Sequence, residues 1–103
     1  MFDIMKKAKE LQSKMAEMQE ELASAEVDGV SGAGMVKVTL NGKGDMKGLS
    51  IDPSLFTAEE ADVLEDLIIA AHQDARTKAE QLSAEKMKEA TGDLPIPPGM
   101  KLF

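Results

Sequence analysis

The chain has 103 residues, and its 12 Lys and Arg stand against 19 Asp and Glu, for a net charge of −7. That length points to one domain, and a sequence without cysteine excludes a disulfide, a thiolate zinc site and a thiol nucleophile. No apolar run reaches membrane-spanning length, and with Phe2, Phe56 and Phe103 as the only aromatic residues, recognition by base stacking is not expected.

Taken as a sum, the acidity argues against nucleic acid, because phosphate binding needs clustered Lys and Arg. The distribution of charge decides more than the sum. The opening Met1-Phe2-Asp3-Ile4-Met5-Lys6-Lys7 has an early acid and no apolar stretch. A signal peptide is therefore not expected, and a reducing cytoplasm is the expected compartment.

Residues 1–26 predict one helix. Apolar residues at Met1, Ile4, Ala8, Leu11, Met15, Met18, Leu22 and Ala25 alternate steps of three and four, a seam with a 3.5-residue period. At 1.5 Å per residue the helix is roughly 37 Å long. A seam of that length needs a partner helix, and its Met and Ala content suits an adaptable contact.

Val27–Ser31 predicts a short strand, and Gly32–Gly34 the turn after it. Met35–Leu40 and Met46–Ile51 are rich in β-branched and apolar residues and predict two more strands. Asn41-Gly42 between them is a hairpin signal, because both residues tolerate positive φ. Asp52-Pro53 ends the last strand, since proline cannot donate to the ladder.

Thr57-Ala58-Glu59-Glu60 is a capping box, with Thr57 as N-cap. It predicts a second helix to about Ala90, with an apolar face at Val63, Leu64, Leu67, Ile68, Ala71, Ala75, Ala79 and Leu82. Thr91-Gly92 stops it. The expected fold class is α+β, ordered α-β-β-β-α, with a three-stranded antiparallel meander between two long helices. Residues 1–91 form the domain. Residues 92–103 form a Pro- and Gly-rich tail, expected to be less ordered than the rest or to pack only through Leu94, Ile96 and Phe103. These parts leave a surplus of apolar surface on one chain. A homodimer is the simplest way to bury it, with Leu40 and Ile51 facing the layer between protomers.

Enzyme chemistry finds little support. His72 is the only histidine and sits mid-helix beside Ala71 with no Asp or Ser at local spacing to form a triad. A surface or partly buried histidine is the preferred reading. The run Glu59, Glu60, Asp62, Glu65 and Asp66 is read as acids complementing a helix dipole rather than as a metal site. Gly42, Gly44 and Gly48 match neither the dinucleotide fingerprint nor a P-loop.

The charge order of the first helix is more telling. Lys6, Lys7, Lys9 and Lys14 come first, and Glu17, Glu20, Glu21 and Glu26 come last. Both placements oppose the macrodipole. A rule broken at both ends points to function, and a basic helix start suits an anion. The second helix obeys the rule, with Arg76, Lys78, Lys86 and Lys88 following its acids. If the two helices pack antiparallel, Lys6, Lys7, Lys9, Lys86 and Lys88 gather at one tip, away from the acids.

In this order, the pieces resemble the YbaB/EbfC family of bacterial nucleoid-associated proteins. The resemblance is carried by the Lys-rich opening helix, Gly32-x-Gly34-x-Val36-x-Val38, Asn41-Gly42-x-Gly44 and Ile51-Asp52-Pro53. The long second helix and the ending Met100-Lys101-Leu102-Phe103 extend it over nearly the whole chain. It implies an α-β-β-β-α fold, a homodimer shaped like tweezers, and DNA binding in the nucleoid with little sequence preference. It implies no enzymatic activity and no cofactor.

The residues expected to contact double-stranded DNA, through its phosphates, are Lys6, Lys7, Lys9, Lys14, Arg76, Lys78, Lys86 and Lys88. No metal, membrane or small-molecule substrate is expected. The alternative is a helical adaptor docking on a replication or repair protein. Salt separates the two, because phosphate binding falls steeply with salt and apolar docking does not.

Overall fold

Alternating apolar residues in the middle of the chain set the architecture. In the computed structural model, which describes residues 2–91, α1 (Phe2–Ser24) leads into β1 (Glu26–Ser31), β2 (Val36–Asn41) and β3 (Met46–Ile51). Two 3-10 turns, Pro53–Leu55 and Ala58–Glu60, then lead into α2 (Ala61–Thr91). The strands pair antiparallel in the order β1-β2-β3. This is the expected α-β-β-β-α meander, with strand ends moved by one residue. The capping box starts a 3-10 turn rather than α2 itself: Thr57 Oγ1 accepts from the Glu60 N–H at 3.3 Å, and α2 follows directly. The tail from Gly92 onward, and the expectation made for it, lie outside the described residues.

Val36, Val38 and Leu40 alternate along β2 and so share one face. All three are fully buried, against Ala71 and Ala75 of α2 and Leu55. Burying each of these large side chains stabilises the fold by about 1.5–3 kcal/mol. Leu40 thus faces the chain's own core, not a layer between protomers, and Ile51 packs half-buried against the same core. For Leu40 the expectation is corrected here: a helix of small residues sits close enough to cover β2 from within one chain.

Gly29 explains how close. A Cβ there would lie 2.1 Å from the Ala71 carbonyl oxygen and 2.2 Å from the Ala75 nitrogen. The backbones of β1 and α2 meet at this point, and only glycine leaves room for it. From there α2 closes the outer edge of β1. The Val30 N–H donates to Asp74 Oδ2 at 3.0 Å, and Lys78 Nζ donates to the Asp28 carbonyl at 2.7 Å.

The other edge is different. Met46 and Leu49 of β3 pair with Leu40 and Val38 and share their face. α2 packs over β1 and β2, and Met46 and Leu49 remain 49% and 47% exposed. No side chain among the described residues bonds to the β3 backbone.

The hairpin expected at Asn41-Gly42 joins β2 to β3, but the positive φ expected at those two residues is absent from them. The Gly44 N–H donates to the Asn41 carbonyl at 3.0 Å, positive φ falls on Gly44, and the register shifts between Thr39 and Leu40. Gly42 has another task. Its N–H donates to the Leu22 carbonyl at 2.8 Å, and an added Cβ would lie 2.7 Å from the Leu22 side chain. The turn therefore caps the end of α1. Asn41, 3% exposed, holds it from inside, its Oδ1 accepting from the Lys43 and Asp45 N–H groups.

A second small core joins the helices. Met18, Leu22 and Ala90 are buried, with Met15, Leu82 and Met87 packed around them. Ahead of this contact Ile4 and Met5 are 73% and 64% exposed. The molecule measures 68 × 26 × 16 Å, elongated along its helices.

Candidate nucleic-acid interface

The first turns of α1 carry Lys6, Lys7 and Lys9, all exposed. They precede Met15, where the packing against α2 starts, by six to nine residues. At 1.5 Å per residue that places them about 9–14 Å beyond the packed contact. They make no ion pair among the described residues, nor does Lys14. They share this end of α1 with the exposed Ile4 and Met5.

The expected basic cations of α2 are placed differently. Arg76 Nε meets Glu80 at 3.1 Å. Lys78 bonds to the β1 backbone and lies 3.2 Å from Asp74. Lys86 Nζ lies 3.1 Å from Glu21 and 3.7 Å from Glu89. The hydrogen bond from Lys86 to Glu21 and the attraction of that carboxylate hold the ammonium above its ordinary pKa. Lys88 is exposed on the last turn of α2.

Lys86 therefore neutralises an acid near the end of α1. The charge order that opposes the α1 dipole is compensated there by a tertiary contact, which a local reading of the helix does not include. Lys14 lines the same small hollow as Lys86, together with Glu17, Glu21 and Glu89. The structure thus brings Lys14 and Lys86 together among acids and leaves Lys6, Lys7 and Lys9 further along α1.

Three lysines that sequence reasoning passed over are also exposed and make no ion pair among the described residues: Lys37 on β2, Lys43 in the turn and Lys47 on β3. A signal for Lys37 was present, since it lies between Val36 and Val38 and must point away from the core.

The acids at the start of α2 act locally. Glu59 and Glu60 lie in the 3-10 turn and Asp62 in the first turn of α2, where they complement the helix dipole. Among the described residues no group of three or more His, Cys, Asp or Glu is placed to hold a metal ion. His72 is half-buried in the middle of α2. No helix of the described residues is long and apolar enough to cross a membrane.

Comparison with known proteins adds to this geometry. Residues 1–94 match the model of the YbaB/EbfC DNA-binding family. A nucleoid-associated protein of Rhizobium meliloti (strain 1021) is 59% identical over 99 residues, covering 96% of this chain and 92% of that protein. A nucleoid-associated protein of Agrobacterium fabrum (strain C58) is 57% identical over the same shares of the two chains. A crystal structure of an uncharacterized protein from Helicobacter pylori shares the fold, with a TM-score of 0.71 and 24% identity over 80% of this chain and 86% of the other.

Proposed function

The chain belongs to the YbaB/EbfC DNA-binding family, and from that premise we propose that it acts in the nucleoid, within the cytoplasm, as a homodimer that binds double-stranded DNA with little sequence preference. The observation that carries the reading is the exposed group Lys6, Lys7 and Lys9 at the projecting end of α1, without an ion pair among the described residues. Three lysines on one helix start suit phosphate oxygens, which position a protein without reporting base identity. The helix start adds its own positive end. A projecting tip also reconciles binding with a net charge of −7, because the tip can reach the duplex while the acidic body stays away from it. Lys78 and Lys86 serve chiefly to tie α2 to β1 and α1, whereas Arg76 pairs within α2 with the exposed Glu80. No cofactor, metal or small-molecule substrate enters this reading, and it requires no catalysis.

Replacing Lys6, Lys7 and Lys9 with Glu tests it. The triple variant should lose DNA affinity tenfold or more at low salt. The log–log salt slope should flatten by about 0.9 for each phosphate contact removed. The loss should be similar on unrelated duplexes. Reversal of Glu59, Glu60 and Asp62 to Lys is the control and should not reduce binding. A triple variant that binds DNA like the parent at every salt concentration would refute the tip. The exposed Ile4 and Met5 would then favour the adaptor reading, with apolar docking that resists salt.

A further inference from the structure

The lysine-bearing end of α1 also presents two large apolar side chains to solvent, Ile4 at 73% and Met5 at 64% exposure. Ala8, one turn on, is exposed as well, and Leu11 is half-buried. We propose that Ile4 and Met5 act as a wedge. With the neighbouring lysines on the phosphates, they enter the minor groove of bound DNA at one base step, part its stack and kink the duplex. The inference rests on the DNA-binding reading above and states what the same tip does to the DNA it holds.

The order of charges around the helix supports this occupant. At 3.6 residues per turn, Lys7 lies about 60° to one side of Ile4, and Lys9 about 40° beyond Met5 on the other. Each lateral border of the apolar patch therefore carries an exposed cation. Asp3 and Glu10, also exposed, lie about 150–170° from the middle of the patch, on the back of the helix. An apolar strip between two cations, with the acids turned away, complements a duplex, in which stacked base faces lie between two rows of phosphate. Ile4 and Met5 have no side-chain donor and no strong acceptor with which to read a base edge. Their contact with DNA is one of shape, which agrees with little sequence preference.

The place of the patch in the molecule fits as well. Packing of α1 against α2 starts at Met15, so Ile4 and Met5 lie about 15–17 Å ahead of it along the helix. A single helix about 10–12 Å across is all that must approach the groove. Aliphatic side chains and methionine inserted between base steps kink a duplex by about 20–90°, and the cost of unstacking is least where the stack is already broken.

Replacing Ile4→Ala together with Met5→Ala removes the wedge and keeps every lysine. Both positions are exposed and helical, and far-UV circular dichroism checks that the variant keeps its helices. Energy transfer between dyes on the two ends of a short duplex reads the bend at saturating protein. The parent should bring the ends together, and the variant should lose about half of that change or more. The salt slope should stay the same, because no phosphate contact is removed. A duplex with one bulged base should bind the parent about fivefold tighter than the intact duplex, and the variant should bind both alike. A parent that binds DNA without bending it, or a variant that bends it equally, would overturn the wedge and leave the DNA-binding reading standing. A parent that binds no DNA would overturn both. A variant that sediments as a single chain where the parent is dimeric would assign the patch to a second copy instead. Bending kept but binding to anionic phospholipid vesicles lost would assign it to a lipid surface, and either result would overturn the wedge.

Discussion

At the scale of single residues, Gly29 and Asp74 decide how α2 meets the sheet. Gly29→Ala places a Cβ 2.1 Å from a backbone oxygen of α2, and neither backbone can yield without moving the helix. Overpacking costs about 1–3 kcal/mol where side chains can shift, and more where they cannot. The variant should lose about 3 kcal/mol or more in urea unfolding, with α-helical signal retained below the midpoint. Asp74 acts through charge. Its carboxyl is held below the ordinary Asp value first by the Val30 N–H and then by Lys78. A lowered value in the folded state means the contribution is complete above the ordinary Asp value of about 3.9 and is lost as pH falls through the folded value. Asp74→Asn should therefore destabilise the protein at pH 7, and the gap to the parent should shrink below about pH 4. Unfolding at pH 7 and pH 3 checks this, and a gap that stays constant counts against it. Neither role was legible beforehand, because each depends on a residue more than 40 positions away.

At the scale of elements, α1 reads in sequence as one continuous seam and behaves in the fold as two halves. Met15, Met18 and Leu22 pack against α2, whereas Ile4 and Met5 project from it. A period of 3.5 residues reports which face is apolar; it does not report how far the partner reaches. Leu22→Ala should cost about 2–4 kcal/mol, as for a buried leucine, and Ile4→Ala no more than about 0.5 kcal/mol, as for a surface site. Amide exchange should agree, faster ahead of Met15 than after it. The β2–β3 hairpin teaches a similar lesson. Its strands were legible from β-branched alternation, but its turn is shaped by the duty of Gly42 at the α1 terminus. Local turn propensity carries no information about a helix that ends elsewhere in the chain.

At the scale of the whole molecule, the two sheet edges are unequal. Asp74 and Lys78 close the β1 edge, while β3 has Met46 and Leu49 half exposed on the core-side face. An uncovered edge strand with apolar neighbours is a template for a second chain. The proposed homodimer is therefore expected to form along β3. The parent should sediment at twice the 11.1 kDa of one chain. Leu49→Asp should shift it toward the single-chain mass while Val30→Asp, on the closed edge, should not. A parent that stays a folded single chain at micromolar concentration would count against the dimer.

Local chemistry was enough to determine the order and type of the elements. Alternation at Val36, Val38 and Leu40, the α1 seam, and the stops at Asp52-Pro53 and Thr57 each depend on residues a few positions apart. The exposed lysines at the start of α1 were legible for the same reason, because they lie off the Ile4–Ala8–Leu11 seam of their own helix. Tertiary structure alone decided which charges are spent on the fold. Lys78 meets β1, Lys86 meets Glu21, and Leu40 turns to its own core. Those pairings join residues from 31 to 65 positions apart in the chain, and only the packing of α2 across β1 and β2 and against α1 brings them within reach.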